Sequence, residues 1–232
     1  MKKVSKIMLA AALLLSSASL YAQKTYDELS QITRLNRGVY GLQSMNDGEH
    51  YTVSKGGAVI RHAYADESKC DTLYRGRFAS YEFSPNEDMI ILGNNFREVY
   101  RHSAYADYSI VRLADKESVA ELKNVRDLNL SPDSKWVAYA QDNNLFVAEL
   151  GKPAKAITTD GEWNKIINGT ADWVYEEEYG FTKAYAFSPD SKQIAYLRFD
   201  ESEVPLFEMM RFDGKLYNTP YQFKYPKAGD KN

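Results

Sequence analysis

The sequence predicts an all-β chain: an incomplete β-propeller of about four blades, each a four-stranded antiparallel sheet, with a short helical insertion carrying an acidic motif. Three observations predict it. A Ser-Pro-Asn/Asp turn recurs between runs of strand character, its spacing is that of a propeller blade, and the longest interval between turns holds an acidic string that interrupts the strand pattern.

The first 22 residues read as a signal peptide. Lys2, Lys3 and Lys6 form a positive start, Ile7 to Leu15 is an apolar run too short to span a bilayer comfortably, and Ser16 to Ala22 is rich in small residues. Cleavage after Ala22 removes three lysines and no acids, so the formal net charge moves from −3 to −6. That mild acidity argues against a nucleic-acid partner, which needs a basic face. No later segment has the apolar length of a membrane helix. Cys70 is the sole cysteine, which excludes an internal disulfide and a lipid anchor at the cleavage site. The expected product, residues 23–232, is exported and periplasmic or secreted, and export without disulfides suits a bacterial periplasm.

The repeat comes next. Tyr81-Glu82-Phe83-Ser84-Pro85-Asn86, Leu128-Asn129-Leu130-Ser131-Pro132-Asp133 and Tyr185-Ala186-Phe187-Ser188-Pro189-Asp190 share one pattern. Each leads into a β-branched or aromatic run: Met89-Ile90-Ile91-Leu92, Trp136-Val137-Ala138-Tyr139 and Ile194-Ala195-Tyr196-Leu197. Proline beside Asn or Asp is turn chemistry, and here it joins two strands. A weaker copy, Ser44-Met45-Asn46-Asp47-Gly48, precedes Tyr51-Thr52-Val53. Serines at 44, 84, 131 and 188 give spacings of 40, 47 and 57 residues, the range of a multi-stranded blade with insertions. A further strand, Leu145-Phe146-Val147-Ala148, follows the Asp142-Asn143-Asn144 turn. A ring of such blades usually closes with more than about four units, so the propeller is expected to be incomplete.

The longest interval contains Asp172-Trp173-Val174-Tyr175-Glu176-Glu177-Glu178. Asp172 can cap a short helix and would place the three glutamates in its first turn, where the helix dipole favours anions. Consecutive helix positions point about 100° apart, so at most two of the three carboxylates can converge on one ligand. Two adjacent carboxylates facing one pocket resist joint ionisation until a cation arrives. An α-ammonium meets that need with a full charge and three donors. A solvated acidic turn is the plain alternative; Trp173 and Tyr175, and the placement inside a repeat insertion, favour a site. The second element is Tyr100-Arg101-His102-Ser103. Arginine offers a planar fork of donors for a carbonyl or carboxylate, although an arginine at a strand edge is more often a surface charge. His102 is read as structural, not as a general base.

Together these strings resemble the dipeptidyl peptidase IV family of the prolyl oligopeptidase superfamily. A Y/W-R-H-S segment and a D-W-V-Y-E-E-E segment occur there in this order, and Asp47-Gly48-Glu49-His50-Tyr51, Glu203-Val204-Pro205 and Tyr225-Pro226-Lys227-Ala228-Gly229 are also family-like. The resemblance runs from about Tyr26 to the last residue. It implies an eight-bladed propeller stacked on an α/β-hydrolase domain, and homodimeric full-length relatives. It puts the glutamate pair that binds a free peptide N-terminus on Glu177 and Glu178, with Glu176, Asp172, Trp173, Tyr175 and His102 in support. It puts the arginine that contacts the N-terminal substrate residue on Arg101. The activity it implies is serine-type release of X-Pro, or less well X-Ala, dipeptides.

No G-x-S-x-G elbow occurs in the 232 residues, so no catalytic residue is assigned; serine, aspartate and histidine are expected in a C-terminal hydrolase domain that this sequence does not contain. No P-loop, zinc spacing or calcium loop is present, and no cofactor or metal is expected. Asn168-Gly169-Thr170 matches a glycosylation sequon, more simply by chance. These residues alone are not expected to be active. The alternative function is a non-catalytic periplasmic propeller that binds peptides or partner proteins.

Overall fold

The computed structural model describes Tyr26, residues 28–31, 41–212 and 214–231; the signal-peptide segment 1–22 lies outside the described residues. The chain divides into a unit Met1–Gln43, helical at 28–31, and a unit Ser44–Asn232 that holds the repeats and the acidic motif. Seventeen strands are described: β1 (Gln43–Ser44), β2 (His50–Lys55), β3 (Ala58–Ala63), β4 (Asp66–Arg75), β5 (Ser80–Phe83), β6 (Met89–Glu98), β7 (Ala104–Arg112), β8 (Ser118–Leu130), β9 (Trp136–Gln141), β10 (Asn144–Glu149), β11 (Lys155–Ala156), β12 (Ile166–Asn168), β13 (Tyr185–Phe187), β14 (Ile194–Tyr196), β15 (Arg198–Asp200), β16 (Leu206–Arg211) and β17 (Thr219–Lys224). In the second unit the helix α1 (Trp173–Tyr179) lies between β12 and β13.

The sheets are antiparallel. β1-β2-β3-β4 form one sheet, and β11-β10-β9-β8-β7-β6-β5 form a run of seven neighbouring strands. That run is two four-stranded units sharing β8. Its first part pairs with β7 (Ala106↔Val125), and after a register shift its last part pairs with β9 (Leu130↔Val137). Asn124 and Asp127 supply the bend, each with φ 53°, a left-handed conformation that Asn and Asp tolerate better than most residues. In the final third the pairings shorten to β13–β14, β12–β15 and the hairpin β16–β17.

Period-two alternation explains how the units stack. On β6, Ile90 and Leu92 join Val59, Tyr81 and Val111 in one cluster, while Met89 and Ile91 join Ile110, Val125, Val137 and Tyr139 in another. On β9, Val137 and Tyr139 face that second cluster, and Ala138 turns the other way to meet Leu145 and Tyr185. Each middle strand is therefore apolar on both faces, as a sheet buried between two others requires. Completely buried side chains such as Ile90, Leu92 and Leu145 each contribute about 1.5–3 kcal/mol.

The repeated turn is built the same way three times. The hydroxyls of Ser84, Ser131 and Ser188 donate to Asn86, Asp133 and Asp190 (2.8, 2.6 and 2.6 Å). They accept from the N–H groups of Met89, Trp136 and Gln193 (3.0, 2.9 and 2.9 Å). The fourth residue of each turn, Glu87, Ser134 or Ser191, has φ near +60°, and its side chain reaches the turn of the preceding unit. Asn46 N–H donates to Glu87 Oε1, Asn86 N–H to Ser134 Oγ and Asp133 N–H to Ser191 Oγ. The turns thus fix each sheet internally and link it to its neighbour.

The weaker first copy needs a correction of register. Met45 N–H donates to His50 O and Gly48 N–H to Met45 O, which is the bonding of Ser84 with Met89 and Glu87. Met45, not Ser44, occupies the serine position. Gly48 (φ 69°) takes the left-handed place, and Asp47 Oδ1 accepts from the Glu49 and His50 N–H groups.

Candidate functional site

Arg101 lies at the end of the β6–β7 hairpin. Glu98 pairs with Ala104, and the connection closes through Val99 N–H to Ser103 O (2.9 Å) and Tyr100 N–H to Ser103 Oγ (3.3 Å). Tyr100 points inward, its ring near Trp163 and Phe223. Arg101 and His102 are exposed, and Ser103 is buried.

The acidic motif forms α1. Asp172 is its N-cap, with extended backbone and its Oδ1 accepting from Tyr175 N–H at 2.8 Å; Gly180 ends it at φ 72°, the left-handed cap that glycine favours. The helix is a closed excursion: Thr170 bridges Lys183, and Ala171 N–H donates to Thr182 O. Thr182 Oγ1 donates to Asp127 Oδ1 on β8, and Asp127 also meets Arg126 Nε at 3.0 Å in a buried ion pair. The aromatics beside the acids are packing residues. Trp173 lies against Tyr225 at 4.3 Å between ring centres, and Tyr175 against Tyr179, Phe181 and Phe199.

Capping at Asp172 begins the helix at Trp173, so only Glu176 falls in the first turn; Glu177 and Glu178 lie beyond it, contrary to the expectation that all three would share that turn. The carboxylates then diverge. Glu176 is completely buried and its Oε1 accepts from the backbone N–H groups of His102 (2.7 Å) and Ser103 (3.0 Å). Glu177 lies 3.4 Å from Arg101 Nε, its side chain 13% exposed against 74% for the arginine. Glu178 is exposed. The fold therefore joins two segments more than 70 residues apart, one supplying the guanidinium and the other the carboxylates. A half-exposed Arg–Glu pair contributes little to stability, but it offers a cationic ligand a carboxylate and an anionic or carbonyl ligand a donor. His102 and Ser103, the residues after Arg101, line a cavity of about 430 Å³ together with Asp127, Asn129, Thr182 and Lys183.

Residues 84–232, well over half of the chain and both site segments, match the family model described as the dipeptidyl peptidase IV (DPP IV) N-terminal region. The chain belongs to the dipeptidyl peptidase IV family. It is 32% identical over 207 residues to a probable dipeptidyl peptidase 4 of Arthroderma benhamiae, covering 82% of this chain and 26% of that protein. It is 35% identical over 159 residues to human prolyl endopeptidase FAP, covering 66% and 21%. The crystal structure of Porphyromonas gingivalis dipeptidyl peptidase 4 superimposes with a TM-score of 0.76 at 36% identity, covering 83% of this chain and 29% of that one. The chain thus spans about a quarter of the length of these relatives. They are fungal, human and bacterial, so the match assigns no source.

In this dipeptidyl peptidase IV family member the helix cap Asp172 is electrostatically linked to a buried acid that the sequence did not reveal, Glu201. Glu201 is pushed up to about 7, first by burial and then by the Asp172 carboxylate, with Lys224 opposing. Burial also raises Asp172. Lys224 Nζ donates to Ser202 O and Val204 O. An acid raised on folding keeps its proton longer in the folded state, so stability falls as pH rises from the ordinary glutamate range towards 7. Glu201→Gln is accordingly expected to raise the melting temperature at pH 8 and to lose that advantage at pH 5. Thermal unfolding at the two pH values checks it.

The sequon can be placed in the fold. Asn168 of the sequon is completely buried, its Nδ2 donating to Asn143 O and Asp160 Oδ1, which leaves no room for a glycan. Among the described residues no group of three or more His, Cys, Asp or Glu side chains is arranged to hold a metal, and no helix is long and apolar enough to cross a membrane.

Proposed function

We propose that this chain is the substrate-anchoring N-terminal portion of an exported serine dipeptidyl peptidase. Its sheet units are blades of a propeller, about four of them here, and its site holds the free α-ammonium of a peptide. The observation that carries this reading is the Arg101–Glu177 contact at 3.4 Å, formed by the two motifs that the family resemblance pairs. Glu177 and Glu178 take the ammonium, and Arg101 takes the carbonyl of the first substrate residue.

Anchoring that ammonium at a fixed distance from a nucleophile sets the length of the product. Two residues reach past the cleavage point, so dipeptides leave, with proline or alanine second. Holding the reacting carbonyl in place converts much of the binding into rate, since alignment lowers the entropic cost of attack. The nucleophile, its base and the orienting acid belong to an α/β-hydrolase domain outside these 232 residues. The contribution of this chain is a binding one.

The experiment is digestion by the full-length protein of a peptide with proline at its second position, followed by mass spectrometry. Stepwise loss of an N-terminal dipeptide is expected. Binding of the peptide without any cleavage favours the non-catalytic propeller instead.

A further inference from the structure

Glu176 is the one acid of the run that cannot touch a peptide, because it has no exposed surface. Its position is unusual in two respects. Oε1 accepts two backbone N–H groups from consecutive residues, His102 and Ser103, while Oε2 is buried with no hydrogen-bond partner among the described residues. A buried carboxylate satisfied on one oxygen only is costly, and such a group in a folded protein calls for an explanation.

We propose that Glu176 is a positioning residue: a buried strut that fixes the hairpin end carrying Arg101 and so sets the Arg101–Glu177 pair. The inference rests on the ammonium-site reading above. Bonds from N–H groups to a carboxylate are among the stronger ones a loop can receive. Both arrive immediately after Arg101 in sequence. Arg101 itself is largely exposed, and among the described residues its one ion pair is the long contact to Glu177, which is too weak to order the loop. Glu176 and Glu177 are also adjacent helix residues, so about 1.5 Å of rise and 100° of turn separate the strut from the acid that meets Arg101. One rigid turn of backbone therefore sets both ends of the pair. The purpose of three consecutive acids follows: the first faces the protein and the others face the ligand.

The test uses the full-length protein with Glu176→Ala, Glu176→Asp and Glu176→Gln. Aspartate keeps the charge but withdraws it by one methylene, while glutamine keeps an oxygen where Oε1 stands. Amide hydrogen exchange is followed over residues 99–105, with β9 as the internal control. In the alanine and aspartate variants, protection of the His102 and Ser103 amides is expected to fall about tenfold or more, with β9 unchanged. The kcat/KM for a dipeptidyl substrate with a free N-terminus is expected to fall about ten- to hundredfold. Glutamine is expected to rescue both. Unchanged exchange at 102–103 in the alanine and aspartate variants would overturn the strut, as would wild-type kcat/KM in both or a failure of glutamine to restore protection. Should alanine fail to fold, the aspartate–glutamine contrast decides. A wild-type protein that hydrolyses nothing counts against the peptidase reading alone, and the exchange comparison still judges the strut.

Discussion

Replacing Glu177 or Glu178 by alanine in the full-length protein is expected to collapse cleavage of a Gly-Pro substrate. With a peptide seated over them the carboxylates are covered, and removing one partner of a desolvated charge pair typically costs about 2–5 kcal/mol, which corresponds to a loss of kcat/KM of about thirtyfold to several thousandfold. Glu177 should show the larger effect. It is the less exposed of the two and already faces Arg101, so its loss removes an ammonium ligand and frees the guanidinium together. Steady-state kinetics on purified, folded variants checks this. Wild-type kinetics in both variants would remove the anchoring role.

Acetylating the N-terminus of the substrate should abolish cleavage. The blocked amide has no charge and a single donor, while the site still presents carboxylates that would be desolvated without a cation. The added acetyl group also occupies the space in which the ammonium is held. The comparison is a rate ratio for free and blocked forms of one peptide. Equal rates would describe an endopeptidase, which does not need the charge of a free N-terminus.

The turns were the most legible part of the fold, for a physical reason. Ser84, Ser131 and Ser188 act on atoms two and five residues away, so the whole device is written locally. The first copy was misaligned by one residue because its backbone bonds need no hydroxyl: Met45 supplies the same N–H and carbonyl, and Ser44 is a neighbour that resembles the missing serine. The pairing of units through Glu87, Ser134 and Ser191 joins residues 41–58 positions apart and left no local signature.

The site divides along the same line. The cap at Asp172 and the presence of a helix could be read from a short string. The direction of each carboxylate could not, because the buried face of α1 is chosen by the hairpin end at 99–103. Glu176 therefore proved to be the inward residue on contacts with His102 and Ser103 alone. Trp173 and Tyr175, read as residues in support of the acids, pack α1 against Tyr225 and Phe199. Glu201 gave no signal, since its raised titration depends on burial beside Asp172 and Lys224, residues on separate elements.

If the carboxylates of α1 read the charge on the substrate N-terminus, losing the acid and losing the charge remove one shared interaction, which a cycle combining the two perturbations exposes. Rates for free and acetylated substrate are measured with wild type and with the Glu177→Ala variant. If the acid reads the ammonium, acetylation costs far less in the variant, because the interaction it destroys is already gone. The same full penalty in both proteins would place the recognition of the N-terminus elsewhere and remove that role from Glu177.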